Sequence, residues 1–240
     1  MKIRKILVDR KGRRYYWKKG DLNSLFGIVK EKDILENNGI VKSHIGKEFI
    51  CFDAGFSDQL EKIKRGPAIM IPKDIGVIIS YTGINKESKI LEAGTGCGVL
   101  ASFLARISDH VVSYEKDKNA IEIAKENFKS LEIENAEIKN KDIYEGIEEK
   151  NLDLIVLDLL EAWKVVKHAY ESLKSGGFLV CYLPQITQVI ELVKEIQKYN
   201  FVKEKVIELI EREWEFEEKK ARPKSRMIGH TGFLCFFRKY

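Results

Sequence analysis

"KILEAGTGCGVLASFLA", residues 89–105, decides the fold. A short apolar strand, a turn holding Gly94, Gly96 and Gly98, and a helical apolar run follow one another without a break. Ligands on parallel sheets bind beyond strand ends of this kind, beside the start of the next helix. The dinucleotide fingerprint is Gly-x-Gly-x-x-Gly. Here the glycines alternate and position 99 is Val, so that fingerprint is not met. Glu92, inside the strand end, would repel a phosphate but suits an ammonium group. The turn therefore reads as a seat for an amino-acid tail.

Downstream, strands and helices alternate. "HVVSYE" is a strand, and "DKNAIEIAKENFKSL" an amphipathic helix that Asp117 can cap. "AEIKNKD" and the very apolar "LDLIVLDL" are strands. "AWKVVKHAYESLK" is a helix with a stop at Ser175–Gly176–Gly177. "FLVCYLP" is a strand, "QITQVIELVKEIQKY" a helix, "KVIELIEREWEFEE" one long strand and "TGFLCFFRK" a final strand. Upstream, "PKDIGVIISYTGI" opens a helix with Pro72 in its first turn. This order predicts an α/β fold: a mainly parallel sheet covered by helices, with the last two strands as an antiparallel pair at one edge.

The first 65 residues differ. Short alternating runs, "KILVD", "RRYYW" and "EFICF", are separated by glycines and polar turns, which predicts a small antiparallel β domain. Asp58 to Arg65 reads as a linker or short helix, and a composition shift at Arg65–Gly66–Pro67 marks the boundary. This segment carries 16 Lys/Arg against 9 Asp/Glu, whereas the remainder carries 26 against 28. Nine of the basic residues lie in the first 20, beside Tyr15, Tyr16 and Trp17. Such a stripe is a footprint for a nucleic-acid backbone, or else the charged edge of a hairpin protected against aggregation.

Composition excludes several classes. Cys51, Cys97, Cys181 and Cys235 are scattered, and the four histidines lie far apart, which argues against zinc and against a secreted disulfide framework. No run approaches the roughly 18 apolar residues of a membrane span. The N-terminus lacks the apolar core of a signal peptide. The expectation is a cytoplasmic protein without a metal.

The strand ends supply the rest of a ligand site. Glu115 lies 21 residues after Gly94, where its carboxylate can accept from ribose hydroxyls. Asp142 ends the next strand and can accept from an adenine amino group. Ammonium, ribose and adenine together describe S-adenosylmethionine.

With these residues in place, the chain resembles a class I methyltransferase with a Rossmann-like sheet. More narrowly, residues 66–240 resemble the tRNA adenine N1-methyltransferases that modify position 58 and, in archaeal members, also position 57. The resemblance rests on "IPKDIGVIISYTGI", "ILEAGTGCG", "VVSYEKD", "DLLEAW", "YLPQITQV" and "RPKSRMIGHTGFLCFFRK", and on the basic N-terminal β domain. It implies that Cys97, Gly98, Val99 and Leu100 line the methionine end of the cofactor, with Glu115 at the ribose, Asp142 at the adenine side, and Lys116 among the cofactor-binding residues. It implies that Asp158 is the active-site aspartate, also beside the cofactor. It further implies a homotetramer, for which "KVIELIEREWEF" could provide interface.

The chemistry agrees. Adenine N1 has a free lone pair and needs in-line placement against the methyl donor. Attack makes a cationic ring, which a carboxylate accepting from the N6 amino group stabilises. Asp158–Leu159–Leu160–Glu161 is not the Asn/Asp-Pro-Pro-Tyr/Phe turn of N6-adenine methyltransferases. The target lies in the folded T-loop region, so the base must be turned outward. Substrate-side candidates are Tyr182 and Gln185 around the "YLP" turn, and the basic cluster Arg222, Lys224, Arg226 and His230. Trp163 reads as helix packing. Family members often carry Tyr or His before Pro-Lys-Asp; Ile71 stands here, which bears on the choice between positions 57 and 58. Two other readings are a non-catalytic tRNA-binding subunit and a methyltransferase for another acceptor, such as protein isoaspartate.

Overall fold

The computed structural model describes residues 2–66, 69–217 and 220–240. Pro67, at the expected boundary, and Glu218, at the end of the expected long strand, lie outside them. The chain divides into two compact units: the first takes the residues up to Lys64 together with Lys129–Glu132, and the second takes Arg65–Phe128 and Ile133–Tyr240.

The first unit is built from β1 (Lys5–Asp9), β2 (Arg14–Trp17), a β3–β4 hairpin (Leu22–Ser24, Gly27–Val29), α1 (Glu31–Glu36), β5 (Gly39–Lys42), β6 (Glu48–Asp53) and α2 (Phe56–Leu60). Its antiparallel sheet has the order β2-β1-β6-β5. Alternation puts Leu7, Trp17, Val41, Phe49 and Cys51 on one face, where they form a core with Val29 and Ile34. The opposite face carries Ile6, which is buried, and Ile40 and Ile50, which are exposed. Arg4 stacks over the Trp17 ring at 5.4 Å.

The second unit starts with α3 (Pro72–Thr82), which has Pro72 at its start and closes on Gly83 in the left-handed conformation. β7 (Lys89–Ala93), α4 (Val99–Ala105), β8 (His110–Glu115), α5 (Lys118–Leu131), β9 (Ala136–Asn140) and β10 (Leu152–Asp158) follow. The Asp117 carboxylate accepts from Asn119 N at 2.7 Å, capping α5 as expected. Then come α6 (Val166–Ser172), β11 (Leu173–Leu183), α7 (Ile186–Ile196), β12 (Phe201–Glu208), β13 (Trp214–Glu217), β14 (Lys220–Pro223) and β15 (Phe233–Lys239). The seven-stranded sheet has the order β12-β15-β11-β10-β7-β8-β9. It is parallel from β11 to β9, and β15 is antiparallel to both neighbours. β7, β10 and the second half of β11 are buried almost throughout, as strands covered on both faces must be.

Two sequence expectations are corrected. The helix expected over residues 162–174 is a 3₁₀ turn, Ala162–Val165, followed by α6, which ends at Ser172. Ser175–Gly176–Gly177 does not stop it but lies within β11, in the irregular stretch between the Leu173 and Phe178 pairings with β10. The expected long strand over 205–218 is two strands: β12 ends at Glu208, and β13 folds against β14 as a separate hairpin. Only β12 can follow β15, whose pairing with it ends at Glu208–Phe233.

Register carries the fold to the site. Ala93 pairs with both Leu157 and Tyr114, and Leu157 also with Cys181. The residues that follow, Gly94, Glu115, Asp158 and Tyr182, therefore form one row at the carboxyl edge. Gly94 has φ +92°, and a β-carbon there would lie 2.1 Å from the Asp158 carbonyl oxygen. Gly94→Ala should lower stability by at least about 2 kcal/mol. Thermal or denaturant unfolding checks this, and a stability equal to wild type would show that the two backbones can separate freely.

Candidate active site

The glycine turn is held from three sides. Gly98 N donates to Thr95 O at 2.8 Å, Gly94 N to Tyr114 O at 3.1 Å, and the buried Asn127 amide to Cys97 O at 2.8 Å. Val99 and Leu100 form the first turn of α4. Asn127 was not singled out in the sequence. Its signal was a polar residue on the apolar face of an amphipathic helix, three positions from Ala124.

Glu92 is buried. Its Oε1 accepts from Ser113 Oγ at 2.7 Å, and Ser113 in turn lies 2.5 Å from Thr95 Oγ1. Oε2 has no hydrogen-bond partner among the described residues. Burial pushes the carboxyl up to about 8; the Ser113 bond opposes this, and the nearby Asp158 and Glu115 charges add to it. A buried carboxylate short of a donor and raised by its neighbours fits a cationic ligand group. A ligand ammonium would satisfy Oε2 and favour the ionised form.

Glu115 is fixed by backbone donors. Gly96 N reaches Oε2 at 3.1 Å, while Lys116 N and Asp117 N reach Oε1 at 2.9 and 3.0 Å. A carboxylate has about four lone-pair directions, so capacity remains for a hydroxyl donor. Asp142 Oδ1 accepts from Tyr144 N at 3.1 Å, and its Oδ2 lies 3.4 Å from the Lys116 ammonium. Glu92, Gly94, Gly96, Cys97, Gly98, Val99, Leu100, Glu115, Lys116 and Asp142 thus gather at the carboxyl ends of β7, β8 and β9. This donor set fits S-adenosylmethionine: an acid for the ammonium, another with room for a ribose hydroxyl, and a lysine already paired with Asp142.

Asp158 ends β10, paired in register with Tyr182 at the end of β11. Loss of solvation raises its carboxyl to about 6, so it is mostly ionised at neutral pH. Gln188 ties the turn after Asp158 to the "YLP" turn: its amide donates to Leu160 O at 2.8 Å and accepts from Gln185 N at 3.0 Å. Gln185 itself is exposed. Trp163 packs against the main core.

The expected basic cluster is dispersed and largely neutralised. Arg222 pairs with Glu215 at 2.5 Å across the β13–β14 hairpin, and Lys224 pairs with Glu213. His230 meets Glu208 Oε1 through Nδ1 at 2.5 Å and Pro184 O through Nε2 at 2.8 Å. Both partners are acceptors, so the imidazolium satisfies both, and they hold its pKa above the usual histidine value. Arg226 lines a cleft of about 300 Å³ with Ile71, Lys73, Met227 and Ile228. Ile71 and Arg226 come together there, while Arg222 belongs to the hairpin. Among the described residues no group of three or more His, Cys, Asp or Glu side chains is placed to hold a metal. No helix among them is long and apolar enough to cross a membrane. All four cysteines are buried and free.

The Glu92 shift has a consequence for stability. Between the ordinary value of 4.5 and about 8, the folded protein binds a proton that the unfolded chain has lost. Stability of the ligand-free protein should therefore fall as pH rises through that window, by an amount on the order of a few kcal/mol. Glu92→Gln should flatten this slope, as thermal unfolding across the window would reveal; an unchanged slope would remove Glu92 as its source.

The model of the family described as "tRNA methyltransferase complex GCD14 subunit" matches residues 62–221. The chain is 36% identical to the tRNA (adenine(57)-N(1)/adenine(58)-N(1))-methyltransferase TrmI of Methanocaldococcus jannaschii, over 98% of this chain and 94% of that one. It is also 36% identical to the tRNA (adenine(58)-N(1))-methyltransferase TrmI of Thermus thermophilus, over 98% of this chain and 96% of that one. A crystal structure titled as a SAM-dependent O-methyltransferase from Thermotoga maritima superposes with a TM-score of 0.89 at 28% identity, covering 98% of this chain and 92% of that one. With the glycine turn, the strand-end acids and the sheet order of a class I methyltransferase, and with this likeness along nearly its whole length, the chain belongs to the tRNA adenine N1-methyltransferase family.

Proposed function

We infer that this protein transfers a methyl group from S-adenosylmethionine to N1 of an adenine in the T-loop of tRNA, at position 58 and, in the manner of the archaeal relative, also at position 57. One observation carries the reading. A buried acid with an unpartnered oxygen, Glu92, lies one strand from a desolvated carboxylate, Asp158, at the same sheet edge. The first suits the ammonium end of the methyl donor, and the second suits an acceptor base with an amino group.

The bound cofactor supplies an electrophilic sulfonium methyl. The chain's own residues do the rest. The glycine turn and Glu92 hold the amino-acid tail, Glu115 the ribose, and Asp142 with Lys116 the adenine side. Asp158 accepts from the N6 amino group of the target base, which orients N1 and stabilises the positive charge the ring acquires. Tyr182, Gln185 and Ile71 flank the acceptor. Arg226 and the hairpin bearing Arg222 face the RNA, with His230 holding the loop between them. The intact turn and acids favour an enzyme over a non-catalytic subunit. The reading includes a cytoplasmic setting and a homotetramer, for which the open edge of β12, with Val202 half exposed, is available. Buried cysteines are poorly placed to bridge its subunits.

The N-terminal unit adds a backbone-binding surface: Arg4, Lys18 and Lys19 rim a groove of about 680 Å³. RNA is recognised largely through shape, stacking and phosphate contacts, and such contacts release counterions.

Labelled cofactor and unmodified tRNA, followed by nucleoside analysis, should yield N1-methyladenosine; its absence would overturn the reading. Asp158→Ala should keep cofactor binding while turnover drops by about two or more orders of magnitude. The Lys18→Glu/Lys19→Glu variant should weaken tRNA binding and reduce the salt slope by about two. A slope equal to wild type would exclude that groove from the RNA interface.

A further inference from the structure

Three successive residues before the last strand each grip a different element beside the acceptor side. His230 holds the end of β11 through the Pro184 carbonyl, and β12 through Glu208. Thr231 Oγ1 donates to Asp74 Oδ2 at 2.9 Å and accepts from the Lys73 ammonium at 2.8 Å. Gly232 presses on the Tyr182 ring so closely that a β-carbon would lie 2.7 Å from Cε2 and Cζ.

Lys73 and Asp74 form a buried ion pair at 2.7 Å, in which Asp74 is fully buried and the Lys73 side chain is 10% exposed. Burying two charges costs solvation that their attraction only partly returns, so packing alone gives no reason for the pair. It does provide directed bonds at a defined place. Asp74 Oδ2 accepts from Thr231 and lies 3.5 Å from the Tyr182 hydroxyl. Tyr182 is the neighbour of Asp158 across the β10–β11 register. The chain of contacts runs from Lys73 through Asp74 and Thr231 to Tyr182, and ends beside Asp158.

We propose that Lys73, Asp74 and Thr231 are positioning residues that hold the Tyr182 ring beside Asp158, and so seat the acceptor base for attack on the methyl group. They act through Tyr182 and leave the cofactor side untouched. The proposal rests on the functional reading above.

The test compares full-length wild type, Thr231→Val, Thr231→Ser, Tyr182→Phe and the Thr231→Val/Tyr182→Phe double variant in methyl transfer to unmodified tRNA. Cofactor affinity and thermal midpoint are read on the same preparations. Thr231→Val, which keeps the shape and removes the hydroxyl, should lose about tenfold or more in kcat/KM for tRNA, with cofactor affinity within about twofold of wild type. Thr231→Ser should restore most of that loss. Adding Thr231→Val to Tyr182→Phe should cost less than about threefold more, since contacting residues of one network are not additive. A Thr231→Val protein with wild-type kcat/KM, or a loss that multiplies in full onto Tyr182→Phe, overturns the proposal. If Thr231→Val does not fold, Lys73→Met replaces it in the same cycle under the same criteria. An inactive wild type overturns the functional reading and this proposal together, whereas an active wild type with an unaffected Thr231→Val overturns the network alone.

Discussion

At Gly94 the backbone leaving β7 runs so close to the Asp158 carbonyl that no side chain fits between them. The rest of the site depends on this approach. It brings the glycine turn, the proposed cofactor seat, against the strand that ends in Asp158, the proposed acceptor-side acid. Parallel pairing of β10 with β7 and of β7 with β8 then extends the contact into a row, so that Gly94, Glu115, Asp158 and Tyr182 reach the same edge. Methyl transfer is chiefly a problem of placement. A close backbone contact is a stiff way to solve it, because protein interiors deform little.

The same closeness concentrates negative charge. Burial is the main cause that raises the Glu92 carboxyl, and the Asp158 and Glu115 charges add to it. The protein offsets the charge unevenly. Glu115 receives three backbone N–H groups and Asp142 a lysine, but Glu92 receives one hydroxyl and leaves an oxygen without a partner. The unmet acceptor lies where a cationic ligand group has most to offer. In the proposed function, recognition of the cofactor draws on this incomplete set of hydrogen bonds.

Positive charge is arranged differently. In the C-terminal hairpin and loop, cations are matched by Glu208, Glu213 and Glu215, which makes ordered structure out of what reads in sequence as a basic tract. In the first unit, Lys18 and Lys19 rim an open groove. A solvated charge beside an open surface is the kind that gains most from a phosphate partner.

The sequence by itself determined most of the order of strands and helices, the turn at Gly94–Gly98, and the acids Glu92, Glu115 and Asp158 at their strand ends; Asp142, expected to end a strand, lies two residues beyond β9 and caps a 3₁₀ turn. These are local features. Periodicity, glycine placement and the last residue of an apolar run are all set within a few positions. It misjudged the end of α6 and the continuity of 205–218, because whether a segment joins a sheet is decided by which strand accepts it. Asp74 was half legible, as a charge one turn from Ile78 on the buried face of α3. Its partner was not. Thr231 lies 157 positions away and meets Asp74 only once β15 has inserted between β11 and β12. Tertiary structure alone decided which cations are neutralised and which polar groups surround Tyr182, because an ion pair depends on distance in space, and a linear sequence does not specify that distance.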